Sequence, residues 1–265
     1  MQKITSRENP LIKNITALMT SPKERRDQGL FVAEGERLCG DAVKSGAEIV
    51  RAFFTESAFE RYPQICEEIE HKVQSCIEIS EELAQRISDT KTPQGIFCVC
   101  RTLDKTADLV HINKNSRFVV LENLQDPSNM GAVFRSAEAF GLDGVILAGN
   151  CCDVYSPKAV RAGMGAVFRL PVIPMESGAA AANLLNAKEI RTAAAVVGRT
   201  ALPPAHARLG AGCAIFIGNE GNGLSPECIN ACQTLVTIPM AGRAESLNAA
   251  VAAGILIWEM VRPDA

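Results

Sequence analysis

From residue 117 to the end of the chain, short apolar runs rich in β-branched residues alternate with helical segments, and this alternation restricts the fold more than any other feature. The runs read RFVVLEN, GVILAG, FRLPVIP, RTAAAVVG, CAIFIGNE and LVTIPM. Between them lie NMGAVFRSAEAFG, SPKAVRAGMGAV, AAANLLNAKE and SPECINACQ, and the Ala-rich SLNAAVAAGILIWEMV follows the last run. Near-continuous apolar strands separated by helices imply a mostly parallel sheet with both faces covered, the α/β class. Ser-Pro pairs at 156–157 and 225–226 mark helix starts, and Gly141 marks a helix end. The first hundred residues alternate as well. A basic helical start (NPLIKNITALMT) precedes strands expected at FVAEG, EIVRAFFT, SCIEIS and GIFCVC, with helices at ERLCGDAVKSG, PQICEEIEHK and EELAQRIS. The expected organisation is a small α/β sandwich domain over 1–105, a linker over 106–116, and the second α/β domain over 117–265.

Composition narrows the class. Of 265 residues 47% are hydrophobic and 22% charged, enough for packed cores. Apolar stretches are interrupted well short of a membrane span, and the amino-terminal MQKITSRENPLIKNI has no apolar signal region. A cytoplasmic protein with no membrane partner is expected. Ten cysteines form no C-x-x-C pair, and His71, His111 and His206 fall in no ligand pattern, so free thiols and no metal are expected. The net charge of −3 does not advertise a polyanion partner, but its distribution is uneven. Residues 1–30 hold six bases against three acids, and residues 55–90 hold nine acids against three bases. Two faces with different partners would read this way, and so would two solvated helical surfaces.

Ligands of parallel α/β sheets sit outside the carboxyl ends of the strands. Three loops there carry unusual polar chemistry: ENLQDPSNMGA, GNEGNGLS and IPMAGRAESLN. The first contains Asn129, with Arg135 further along the helix, where a planar guanidinium can clamp a phosphate. As alternatives, Asn129 is a helix cap and Arg135 a surface ion-pair partner. The second, within FIGNEGNGLS, has three glycines that let main chain approach a ligand closely. It lacks the lysine of a phosphate-binding P-loop and the order of a G-x-G-x-x-G dinucleotide loop. Glu220 there either contacts substrate or anchors the loop. The third places Ser246 and Asn248 at the start of the last helix, where free N–H groups can meet a polar ligand and where Ser246 can act as the cap.

Taken together, N-x-G-A-x-x-R-S-A-x-A-F-G at 129–141, G-N-E-G-x-G-L at 218–224 and I-P-M-x-G-x-x-x-S-L-N at 238–248 resemble the three motifs of the SpoU-type (TrmH-type) RNA 2′-O-ribose methyltransferases of the SPOUT superfamily. The resemblance covers roughly residues 117–262. FVAEGERLCGDAV at 31–43 resembles the substrate-binding domain that often precedes it, akin to ribosomal kink-turn binders.

The resemblance implies a carboxy-terminal trefoil knot that holds S-adenosyl-L-methionine, with Gly218, Ile238 and Leu247 contacting the cofactor mostly through main chain. It implies a polar site near the transferred methyl made by Asn129, Arg135, Glu220, Ser246 and Asn248. It implies a homodimer packed through the knot regions and no metal. The family mechanism has been framed with the Arg135 equivalent as general base, but an arginine pKa above about 12 suits a charge clamp better. The expected function is 2′-O-ribose methylation of a structured RNA, with large-subunit ribosomal RNA favoured over transfer RNA. Rival readings are a transfer-RNA methyltransferase, a non-catalytic RNA-binding knot protein, and a nucleotide-dependent oxidoreductase.

Overall fold

The first apolar runs build a five-stranded mixed sheet. In this computed structural model, which describes residues 1–107, 110–198 and 200–262, the strands are β1 (Gln2–Ile4), β2 (Leu30–Glu34), β3 (Ile49–Phe54), β4 (Cys76–Ile79) and β5 (Ile96–Arg101). Their order is β1-β4-β3-β5-β2; β1, β4 and β3 run parallel, and β5 is antiparallel to both β3 and β2. The helices are α1 (Pro10–Thr20), α2 (Pro22–Gln28), α3 (Glu36–Ser45), α4 (Glu56–Arg61), α5 (Pro63–Lys72) and α6 (Glu81–Ile87). Asn9 caps α1 and Pro10 opens it. The helical spacing of Ile12, Ile15, Leu18 and Met19 then buries one face in a core with Phe53, Ile79, Phe97 and Val99. The sequence pattern gave no sign of β1, α2 or α4. They are three, seven and six residues long, too short for a periodic signal.

The second sheet is wholly parallel: β6 (Arg117–Glu122), β7 (Gly144–Ala148), β8 (Val172–Met175), β9 (Arg191–Ala195), β10 (Cys213–Ile217) and β11 (Thr234–Val236), in the order β11-β9-β10-β6-β7-β8. Chain order reverses between β6 and β10, the kind of crevice in which open α/β sheets hold ligands. The expected α/β architecture with a mostly parallel sheet is therefore present. Phe118, Val119, Val120 and Leu121 are all fully buried, so both faces of β6 are covered. Helix α7 (Pro127–Ala139) packs on α11 (Ala249–Val261), and α9 (Gly178–Ala187) packs on α10 (Pro226–Ala231).

The two compact units are not strictly sequential. One comprises 1–103 with 153–169, the other 104–152 with 170–265. The segment 153–169, with α8 (Pro157–Ala162), was expected in the second domain but packs with the first. A buried guanidinium explains the attachment. Arg25 is 3% exposed, its Nε lies 2.6 Å from Asp153 Oδ2, and its Nη1 donates to the Leu18 carbonyl. A buried charge needs such partners. Phe31 adds ring contacts to Tyr155 and Phe168 at 4.7 and 5.6 Å. The expected linker lies on the second unit: Ala107, Val110 and Ile112 pack against its core, and Lys105 N–H donates to Val172 O at 2.8 Å. Residues 108, 109, 199 and 263–265 of the expected linker and second domain lie outside the described residues.

All ten cysteines are free thiols. Burial pushes the Cys66 thiol up to about 12 and Cys213 to about 11, the latter against the opposing pull of Arg191. Among the described residues no cluster of His, Cys, Asp or Glu could hold a metal ion, and no helix is long and apolar enough to cross a membrane.

Candidate active site

Glu220 joins two of the three polar loops. Its Oε1 accepts from Asp126 N–H and from Asn129 Nδ2, both at 3.0 Å, and its Oε2 accepts from Gln125 N–H at 3.1 Å. The loop after β10 is thereby tied to the amino-terminal turn of α7, across the point where strand order reverses. Asn129 carries the chain of contacts to the third loop, because its Oδ1 accepts from Asn248 Nδ2 at 2.9 Å. Burial pushes the Glu220 carboxyl up, but the hydrogen bonds from Asn129 and the backbone outweigh it and hold the group below its ordinary value. Glu220 is therefore a carboxylate at neutral pH, an acceptor with three donors already on it.

The helix starts are set locally. Asp126 caps α7 by accepting from Ser128 and Asn129 N–H, with Pro127 behind it. Asn248, rather than Ser246, caps α11: its Oδ1 accepts from Ala250 N–H at 2.9 Å and Val251 N–H at 3.2 Å. Asn129 thus does not serve as the cap of its own helix, and its side chain is left for Glu220 and Asn248.

Beside these contacts lies a cavity of about 430 Å³. Gly218, Glu220, Ile238, Ser246 and Leu247 all line it; Asn129, Arg135 and Asn248 do not. Ile217, Leu224 and Leu256 add apolar wall. Arg135 projects from α7 into solvent, and among the described residues it has no hydrogen-bond or ion-pair partner. Five of the expected residues share one cavity, one of those five, Glu220, is linked by side-chain hydrogen bonds to Asn129 and through it to Asn248, and Arg135 stands apart without a partner among the described residues.

Gly218 sits where a side chain is impossible. A Cβ there would lie 2.1 Å from the Gly223 carbonyl carbon and 2.2 Å from Leu224 N. The loop folds back on itself, with Asn219 N–H donating to Gly223 O and Gly223 N–H to Asn219 O at 3.0 and 2.9 Å.

Three supporting residues were not among the expected site residues. Asn219 Oδ1 accepts from Gly221 and Asn222 N–H while its Nδ2 donates to Asn123 O, an Asx-type turn for which an Asn two residues before Gly221 is the sequence cue. Asn123 holds a left-handed backbone at φ 55 and accepts Asn150 N–H. Glu122, 3% exposed, accepts from Gly178 N–H, Ser225 N–H and Ser225 Oγ at 3.1, 2.8 and 2.9 Å. Its only sequence signal is an acid closing an apolar run.

The lining fits a phosphate-free nucleoside cofactor. Apolar walls suit a flat heterocycle, the main chain of 218–224 offers donors and acceptors, and among the described lining residues the ionisable one is the Glu220 carboxylate. A dinucleotide would bring a pyrophosphate beside this carboxylate, with no lysine or arginine on the wall among the described residues, which suits the oxidoreductase reading less well. Fold and site together define an α/β protein with a ligand-sized cavity at the carboxyl ends of a parallel sheet.

The comparisons specify it further. Residues 116–258 match the SpoU rRNA Methylase family, and residues 9–98 match the MRM3-like substrate binding domain. The chain belongs to the SpoU rRNA methylase family. It is 29% identical to the 23S rRNA (guanosine(2553)-2′-O)-methyltransferase RlmP of Bacillus subtilis, over 98% of this chain and 99% of that one. Its fold matches the AdoMet-bound rRNA methyltransferase of Sinorhizobium meliloti with a TM-score of 0.88 at 28% identity, covering 97% and 96% of the two chains. It matches the AdoMet complex of the SpoU methyltransferase AviRb from Streptomyces viridochromogenes with a TM-score of 0.85 at 27% identity, covering 96% and 98%. S-adenosylmethionine is the cofactor of this methyltransferase.

Proposed function

We propose that the protein methylates one ribose 2′-hydroxyl of large-subunit ribosomal RNA. The observation that carries this reading is the bridge from Glu220 through Asn129 to Asn248, set beside a cavity lined by Gly218, Ile238, Ser246 and Leu247. The names of RlmP and of the structural neighbours support ribosomal over transfer RNA. The match of residues 9–98 to a substrate-binding domain supports a first unit that engages the RNA through phosphates and shape. The unit boundaries near 105 and 117 stand in this proposal as the division between RNA binding and methyl transfer.

The cofactor supplies an electrophilic methyl group on a sulfonium sulfur. Gly218, Ile238 and Leu247 hold it by main chain and apolar contact, and Ser246 offers a hydroxyl at the cavity wall. Glu220 and Asn248 act as positioning residues: one fastens the glycine-rich loop to α7, the other fastens α11 to Asn129. Arg135, without a hydrogen-bond or ion-pair partner among the described residues, binds a substrate phosphate and offsets the negative charge that grows on the ribose oxygen. Its pKa above about 12 leaves proton removal to water or another group.

We further propose that the carboxy-terminal part of the chain threads through a loop as the trefoil knot of the SPOUT proteins and that the protein acts in the cytoplasm as a homodimer. Val251, Ile255 and Trp258 form an exposed apolar stripe on α11, continued by Phe140, whose ring lies 5.6 Å from that of Trp258; this stripe supports the homodimer.

The test is incubation of purified protein with methyl-labelled S-adenosylmethionine and RNA from cells lacking the gene, followed by mapping of labelled riboses. Label at one ribosomal nucleotide is expected. Label in transfer RNA alone would overturn the substrate, and absence of both label and cofactor binding would favour the non-catalytic RNA-binding reading.

A further inference from the structure

At the other end of α11 lies a second polar concavity, of about 330 Å³, lined by Arg191, Arg208, Arg262 and Glu259 together with the main chain of Leu209–Ala211. Three structural elements contribute the arginines. Arg191 opens β9, Arg208 belongs to the segment leading into β10, and Arg262 caps the carboxyl end of α11. The pocket lies at the amino-terminal ends of the strands, whereas the cofactor cavity lies at their carboxyl ends. Helix α11 has 13 residues, which separates its two termini by about 20 Å. The two sites are distinct.

The chemistry is that of an anion site. Three guanidiniums face one carboxylate in a molecule whose net charge is −3. Arg191 is pre-oriented: its Nη2 donates to Ala211 O at 2.8 Å, and its remaining N–H groups are left for a ligand. Arg262 pairs with Glu259 through Nε at 2.8 Å, which leaves both terminal nitrogens available. Arg208 is exposed, has no hydrogen-bond or ion-pair partner among the described residues, and takes a left-handed backbone at φ 50. Left-handed non-glycine backbone is uncommon, and strain of this kind gathers at ligand-binding sites. Buried Leu209 pins the adjoining residue in place.

We infer that this pocket binds a backbone phosphate of the RNA substrate, about 20 Å along α11 from the residues that surround the reacting ribose. Planar guanidinium forks match the phosphodiester oxygens, and convergence of three of them orients the chain as well as attracting it. The inference rests on the reading of the protein as an RNA methyltransferase. It adds a contact in the second unit to those expected from the first.

The test uses the full-length protein with Arg208→Ala, Arg208→Glu and Arg208→Lys. RNA affinity is measured between 50 and 300 mM salt, alongside cofactor affinity, thermal midpoint and kcat at saturating RNA. Arg208→Ala should weaken RNA binding about fivefold near 0.1 M salt and lower the slope of log affinity against log salt by about 0.7–1. Arg208→Glu should weaken it further, and Arg208→Lys should restore part of it. Cofactor affinity and kcat should stay at wild-type values. Unchanged RNA affinity and salt slope in folded Ala and Glu variants would overturn the inference. So would a thermal shift by millimolar inorganic phosphate that depends on Arg208 while RNA affinity does not, since the pocket would then serve the free ion. Wild-type protein that binds RNA through Arg208 but methylates none would uphold the pocket and overturn the proposed reaction instead.

Discussion

Asn129 Oδ1 and Asn248 Nδ2 are 2.9 Å apart, and this one bond ties the start of α7 to the start of α11. Both side chains are otherwise committed, Asn129 to Glu220 and Asn248 to two amides of its own helix. A change at either end would reach Glu220 on the cavity wall through side chains that do not themselves line the cavity.

Asn248 has two separable jobs. Asn248→Ala should cost about 1–2 kcal/mol, from loss of the cap and of the bond to Asn129. Asn248→Asp keeps the capping oxygen and removes the donor. Its thermal midpoint should stay near wild type while kcat/KM drops; a wild-type kcat/KM in the Asp variant would show that capping is the whole of its role.

Glu220 sets a pH signature. Its carboxyl is held below the ordinary value, so the stabilisation it gives is complete above the unfolded value near pH 4.3 and fades only as pH falls through the lower folded value. Cofactor affinity, followed by calorimetry, should be level from pH 8 to about 5 as far as this group is concerned. Glu220→Gln should be weakened at every pH in that range, because the amide turns a donor toward some of the present donors.

Arg135 should tolerate removal structurally, having no protein partner among the described residues. Arg135→Ala should leave the unfolding free energy within about 0.5 kcal/mol of wild type and lower kcat/KM by about 100-fold. Arg135→Lys should keep partial activity with altered RNA affinity. Complete loss in the lysine variant with normal RNA binding would count against a charge clamp.

Glu122 should matter for stability first. Glu122→Ala strands Gly178 N–H and the Ser225 backbone and hydroxyl in a buried site, at a cost of about 3 kcal/mol in denaturant titration. Glu122→Gln should cost about half of that.

Gly218→Ala places a methyl 2.1 Å from the Gly223 carbonyl carbon. The loop must open to accept it, so cofactor binding should fall below detection while the amino-terminal unit remains folded by limited proteolysis.

Much of this was legible in sequence because it is local. The parallel sheet announced itself through apolar runs such as RFVVLEN and CAIFIGNE, whose boundaries fall within a few residues of β6 and β10. The loops carrying Asn129, Glu220 and Asn248 stood out by composition. What could not be read depends on distant partners. Ser246 and Asn248 are both good caps by type, and only the start of α11 at Ala249 decides between them. Glu122 looks like the end of a strand until Ser225, 103 residues later, folds onto it. The placement of 153–169 with the first unit follows from a charge pair between Arg25 and Asp153, 128 residues apart. No pattern within a window of a dozen residues holds that information.

Helix α11 has almost no face left idle. Ala249, Ala252 and Leu256 line the cofactor cavity, Gly254 lies 4.0 Å from Ser136 Oγ of α7 by the position of its missing methyl, and Val251, Ile255 and Trp258 look outward. With its outward stripe taken up by the proposed homodimer, a helix so committed has little surface left on which to absorb neutral change. Its evolution should therefore be slow and concerted: a substitution on one face can persist only when a neighbour on another element changes with it. In a set of natural variants of this protein, this segment should be the place where drift is rarest and where paired substitutions with α7 are commonest.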